Sequence, residues 1–323
     1  MSKHTKEELT KLQALSLDEK IEITEARILE FYHKMEGNVY VSFSGGKDST
    51  VLLHIVRNIL PRVEAVFCDT GLEFPEVKEF VRSFENVTII RPKKTFRQVI
   101  DEYGYPVISK EVSDAVARLR ANPDSDVVKR QFQKGRIVGK QYSMARWEYL
   151  KDAPFKTTAS CCYHLKKAPF KVFHKKTKKK PYVGTTCAES QLRERSWLIN
   201  GCNSFEAGLE KSRPLSIWTE ADIWEYIERY NVPIVSVYTH GRQRVGCIYC
   251  AFGAHLEKEP NRFQILQKTH PQLYEYCMKP KEEGGLGLGP VLDYLEIKRV
   301  NDRVIKKRVI IRDADRVKEE EKE

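Results

Sequence analysis

A chain of 323 residues, 41% hydrophobic and 31% charged, can bury one large core or two modest ones, and its composition is that of a soluble globular protein. No apolar run approaches the roughly 18 residues a membrane-spanning helix needs, which excludes such spans. The formal net charge is +11, and a surplus of that sign favours polyanionic partners.

The N-terminal MSKHTKEELTK lacks the apolar core of a secretory signal, so a cytoplasmic location is expected. Residues 1–37 read as a helical segment with a packing role. Ser16 and Glu19 have the spacing of a capping box, and Gly37 ends the helix. Residues 38–43 read as a buried strand and 48–60 as an apolar helix. Between them lies Ser44-Gly45-Gly46-Lys47-Asp48-Ser49. At such a strand-to-helix turn, backbone N–H groups and the positive helix end collect an anion. The glycines permit close backbone approach, Ser44 and Ser49 add hydroxyls, and Lys47 adds a compact cation. Asp48 either positions the turn or holds Mg²⁺. The spacing is neither Walker A nor G-x-G-x-x-G.

Residues 63–68 form the expected second strand, closed by Asp69-Thr70-Gly71. A helix over 75–84 and a third strand over 87–90 follow. Strands alternating with helices predict a doubly wound, mainly parallel α/β sheet, with ligands at the carboxyl ends of its strands. Both turns would then face one crevice. This nucleotide-binding domain is expected over 38–235, with a basic helical insertion near 108–155. The sheet resumes at Tyr182-Val183-Gly184, and Thr219 with Asp222 caps a helix running to Tyr230. Residues 236–300 form a helical, cysteine-containing C-terminal portion, with a helix over 261–278. Residues 301–323 form a basic and then acidic tail, expected to be disordered.

Residues 153–180 carry nine lysines and no acid. The plain reading is a solvated face. The functional reading is a landing site for RNA or DNA, with Phe155, Tyr163, Phe170 and Phe173 placed to stack on bases. Of eight cysteines, Cys161 and Cys162 with Cys247 and Cys250 offer four thiolates to a 4Fe–4S cluster or to zinc. Cys68 reads as core, and Cys187 as packing or a sulfur-carrying thiol. Trp218 and Trp224 read as helix packing.

The string SGGKDS resembles the PP-loop of N-type ATP pyrophosphatases. Within that group, FCDTGLEFPEV (67–77), YGYPVISKE (103–111), CCYHLKKAPF (161–170) and GCIYCAFG (246–253) are similar to segments of the phosphoadenosine phosphosulfate reductase family, in its iron–sulfur branch. The resemblance covers about residues 25–255. It implies a PP-loop fold, adenine nucleotide alpha hydrolase-like, that binds ATP or another adenosine nucleotide. By position it implies Ser44, Gly45, Gly46, Lys47, Asp48, Ser49, Asp69, Thr70, Gly71 and Gly184 around the nucleotide, with Lys47 and Asp48 in the chemistry. Lys166, Lys167, Glu189 and Arg193 would meet the substrate. Cys161, Cys162, Cys247 and Cys250 would hold a 4Fe–4S cluster, and a sulfur or electron donor protein would be a partner.

Two departures bear on activity. The family's E-C-G-L-H segment is not found, and the last cysteine is Cys277. In VGTTCAESQLR (183–193), Thr186 stands where the family tends to arginine. Three readings follow: adenylation-dependent sulfur transfer to nucleic acid, sulfonucleotide reduction to sulfite, or nucleotide binding without turnover in a nucleic-acid complex.

Overall fold

The computed structural model describes residues 3–133, 137–138, 141–240 and 244–299. Packing divides the chain into two compact units, Met1–Lys93 with His164–Cys247, and Lys94–Tyr163 with Ile248–Glu323. The expected tail over 301–323 lies outside the described residues.

The first unit begins with two helices, α1 (Lys6–Gln13) and α2 (Leu17–Lys34). The capping box read at Ser16 and Glu19 is formed, which satisfies N–H groups that the first helical turn leaves without partners. Gly37 takes φ +75° just beyond α2. There follow β1 (Val39–Ser42), α3 (Lys47–Ile59), β2 (Ala65–Cys68), α4 (Pro75–Arg82) and β3 (Val87–Ile90). Each expected element of this stretch is present, with ends that agree to within two residues. Strand Lys180–Val183 returns beside β1, in register Ser42↔Val183.

The sheet runs β3, β2, β1, then the strands Lys180–Val183, Lys211–Ser212 and Asn203–Ser204. All pairings are parallel except the last. The α/β class with a mainly parallel sheet is therefore observed. β2 is buried along its whole length, as a strand covered on both faces must be. The strand order reverses at β1, whose neighbours β2 and Lys180–Val183 lie far apart in sequence. Crevices at the carboxyl ends of strands beside such a reversal are where open α/β sheets bind ligands.

The second unit is mostly helical. Its division by packing runs differently from the segmentation read by composition, because the residues around 94–163 join those after Cys247. The reason is a parallel pair, Val107–Ile108 with Ala251–Phe252, which no local pattern announces. Arg120 donates to four carbonyls, those of Leu150, Lys151, Ala153 and Phe155, each within 2.7 Å. One guanidinium thus fixes the turn at 150–155. The helix expected over 261–278 is two helices, Arg262–Thr269 and Pro271–Met278, since Pro271 cannot continue the first.

Among the described residues, no helix is long and apolar enough to cross a membrane.

Candidate functional site

The turn between β1 and α3 is built by its small residues. Gly45 adopts φ +72°, where a Cβ would stand 2.9 Å from Val77 Cγ1 on α4. Gly46 is the N-cap of α3 and makes no side-chain cap bond, so the helix end keeps open N–H groups. The Ser49 hydroxyl donates to the Gly46 carbonyl at 2.9 Å and accepts the Ser44 N–H at 3.2 Å, which holds the turn closed on itself. At the end of the neighbouring strand, a Cβ on Gly184 would stand 2.8 Å from the Asp48 carbonyl oxygen. Glycine there lets the strand end approach the first turn of α3. Gly184→Ala is expected to destabilise the chain by about 1–3 kcal/mol through overpacking, read from the shift in a urea unfolding midpoint. An unchanged midpoint would show that α3 yields instead.

These elements enclose a cavity of about 460 Å³ in the first unit. Its wall includes Ser44, Gly46, Lys47, Asp48 and Ser49 from the turn, and Gly184, Thr186, Glu189 and Arg193 beyond Lys180–Val183. Lys166 also lines it, whereas Lys167 does not. A π-helical turn, Tyr163–Lys167, carries Lys166 to this position. Among the contributors that the sequence-based reading missed are Glu220, Tyr238 and Arg244. Glu220 opens the helix Glu220–Arg229 directly after the Thr219 cap that was recognised. Tyr238 and Arg244 had no local signal.

Lys47 is 6% exposed. Its ammonium lies 3.3 Å from Asp48 and 3.5 Å from Glu220, and 6.0 Å over the Trp224 ring. Trp224 is therefore more than helix packing. Arg193 pairs with Glu189. Burial and the nearby charge of Arg244 both work against the Arg193 guanidinium, while Asp48 supports it. Lys47, Lys166, Arg193 and Arg244 line the cavity together with Asp48, Glu189 and Glu220, a small surplus of positive charge that favours an anionic ligand.

Asp69, Thr70 and Gly71 are not in the cavity wall. They stabilise their own turn. Thr70 donates its N–H and hydroxyl to Glu73, and Asp69 accepts the Gly71 N–H. Burial works to raise the Asp69 pKa, but Lys78, the Gly71 N–H and Arg91 outweigh it and hold the carboxyl below its ordinary range.

The four cysteines expected to act together are divided between the two units. Cys161, Cys162 and Cys250 belong to the second unit and Cys247 to the first. Among the described residues, no group of three or more His, Cys, Asp or Glu is placed to hold a metal ion. The four-cysteine set stays an expectation of the sequence and the family, and no step below runs through a cluster or zinc. Cys68 donates its thiol to the Leu165 carbonyl at 3.3 Å. Burial, with Glu73 adding to it, pushes that thiol up to about 12. Burial also pushes Cys187 up to about 12, and Cys277 is fully buried. Such thiols are packing groups.

The lysine block is also reorganised. Phe173 is buried with Tyr40, and Phe170 packs against the same cluster. Phe155 meets Tyr105 and Tyr294 edge-on. Lys179 pairs with Glu64 and Lys180 with Glu210. Lys175, Lys176 and Lys178 remain exposed. The aromatic platform for stacking on bases is thus largely spent on packing.

The family model of the phosphoadenosine phosphosulfate reductase domain matches residues 38–252. The chain belongs to that family. An adenosine 5'-phosphosulfate reductase of Anoxybacillus flavithermus is 27% identical over 247 residues, covering 76% of this chain and 86% of that one. An uncharacterized protein of Methanocaldococcus jannaschii is 26% identical over 270 residues, covering 79% of this chain. The chain spans 51% of that protein's length and 41% of a second M. jannaschii relative's. Among solved structures, a phosphoadenylyl-sulfate reductase of Candida auris in a phosphate complex matches at TM-score 0.42 and 17% identity, covering 75% of this chain and 95% of that one. Family membership accounts for the matching strings at 44–49, 67–77 and 161–170, all of which lie inside the matched span.

Proposed function

We propose that the cavity binds an adenosine nucleotide with its phosphates on the 44–49 turn, and that the chain acts on the phosphate chain of ATP. Cleavage between the α- and β-phosphates releases pyrophosphate and places AMP on an acceptor oxygen. A sulfur nucleophile then displaces AMP. One observation carries this reading: four cationic side chains converge on the open end of α3, and no cysteine is among the described residues of the cavity wall. Pyrophosphate departure needs positioned positive charge. Sulfonucleotide reduction needs an accessible thiolate, and Cys187, between the wall residues Thr186 and Ala188, is buried with its thiol pushed up to about 12. Asp48 is the carboxylate that would share Mg²⁺ with phosphate oxygens, since such ions rely on few protein ligands.

The exposed Lys175, Lys176 and Lys178 support a nucleic acid as the acceptor, through phosphate contacts rather than base stacking. The four-cysteine cluster rests on the sequence pattern and the family alone.

Sulfonucleotide reduction is the second reading. It is favoured by the relative named as an adenosine 5'-phosphosulfate reductase, which this chain covers over 86% of its length. A single experiment separates the two. Anaerobically purified protein is given ATP, or a sulfonucleotide with a thioredoxin-type donor. AMP and pyrophosphate from ATP support adenylation, and sulfite from the sulfonucleotide overturns it in favour of reduction. Iron on the same preparation tests the cluster, which requires about four per chain.

A further inference from the structure

Tyr238 is the cavity residue to which neither the sequence nor family membership assigns a role. It lies on the short helix Ser236–His240, and its hydroxyl oxygen accepts the Lys47 backbone N–H at 2.9 Å. Lys47 is the first residue of α3, so the phenol oxygen occupies one of the N–H positions at the head of the anion-collecting helix. Its ring stands edge-on to Trp224, with centroids 5.9 Å apart and planes 85° apart. The Lys47 ammonium lies over the same indole, so Trp224 orients both groups.

A phenol has one proton to donate and accepts at its oxygen. Here the oxygen accepts the Lys47 backbone N–H. Among the described residues, nothing accepts the O–H proton. Burial pushes the phenol up to about 12, so the proton is retained at neutral pH. It lies in the cavity wall beside Ser44, Gly46 and Lys47. We propose that Tyr238 is a phosphate-binding residue, its hydroxyl donating to a phosphate oxygen of the nucleotide seated on the 44–49 turn. This rests on the reading that the cavity takes an adenosine nucleotide. The bond adds a neutral donor beside the cationic ones, and it places the phosphate against the first turn of α3.

Tyr238→Phe keeps the ring against Trp224 and removes the hydroxyl, both the donor to phosphate and the acceptor of the Lys47 N–H. Binding of ATP, AMP and adenosine to the full chain is measured by titration calorimetry, alongside thermal melting. For the variant, ATP and AMP affinities are expected to fall about tenfold, the loss of one hydrogen bond to a charged group. Adenosine affinity should stay as in the unaltered protein, while the melting temperature falls modestly because the Lys47 N–H loses its acceptor. Equal or tighter ATP binding by the variant overturns the proposal, the latter by showing that Tyr238 blocks the phosphate position. An equal loss for adenosine, or a lowered melting temperature with no selective loss for the phosphorylated ligands, overturns it in favour of a purely structural cap. If the unaltered protein binds none of the three, the nucleotide reading itself fails, and this proposal with it.

Discussion

Replacing Lys47 with alanine is expected to weaken adenosine-nucleotide binding by about 1.5–3 kcal/mol, the range for hydrogen bonds involving a charged partner. The side chain is nearly buried, and its ammonium is already held near Asp48 and Glu220. It therefore loses little freedom when a phosphate arrives. Removing it also leaves those two carboxylates facing the incoming anion without their shared cation, which pushes the loss toward the upper end. Lys47→Arg should restore little, because the bulkier planar guanidinium does not match the nearly buried position that the compact ammonium fills beside Asp48 and Glu220. Titration calorimetry with ATP measures this, and circular dichroism confirms that the helix persists. Unchanged affinity in Lys47→Ala would remove the 44–49 turn as the phosphate site. Gly45 is not a clean second probe. Its Cβ would strike Val77 on α4 rather than a ligand, so Gly45→Val tests folding.

The largest loss of stability is expected far from the turn. Lys20 on α2 is fully buried and donates to Asp222 at 2.7 Å and to the Gln13 carbonyl at 2.8 Å. The same Asp222 oxygen accepts the Thr219 N–H and hydroxyl that cap the helix Glu220–Arg229. Lys20→Met leaves a buried carboxylate without its cation, and breaking such a pair from one side costs about 3–5 kcal/mol. Adding Asp222→Asn removes the stranded charge while keeping an N-cap acceptor, so the double variant should recover part of that loss. Urea unfolding of both variants checks this. A loss below about 1 kcal/mol in Lys20→Met would show that water reaches Asp222. Nucleotide affinity should fall as well, because this helix carries Glu220 and Trp224. Residues 1–37, which read as packing, thereby support the cavity.

Much of this arrangement was already determined by local sequence. A strand, a glycine pair and an amphipathic helix within twenty residues can fold in few ways, so 39–59 forms the strand, turn and helix it spells. The capping boxes at Ser16 and Thr219 are likewise contacts between residues three apart, and both form. The anion-collecting character of 44–49 follows from the same short-range geometry. Tertiary structure alone decided what converges there. The pairing of Lys180–Val183 with β1 brings Gly184, Glu189 and Arg193 to the turn across more than a hundred residues, and Tyr238 and Arg244 arrive from still farther along the chain. The same long-range packing turned Phe170 and Phe173 into the core and engaged Asp69 with Lys78 and Arg91. A residue's type and its near neighbours set its local conformation. Which face it presents, and to whom, depends on buried area shared with distant segments, and no local period encodes that.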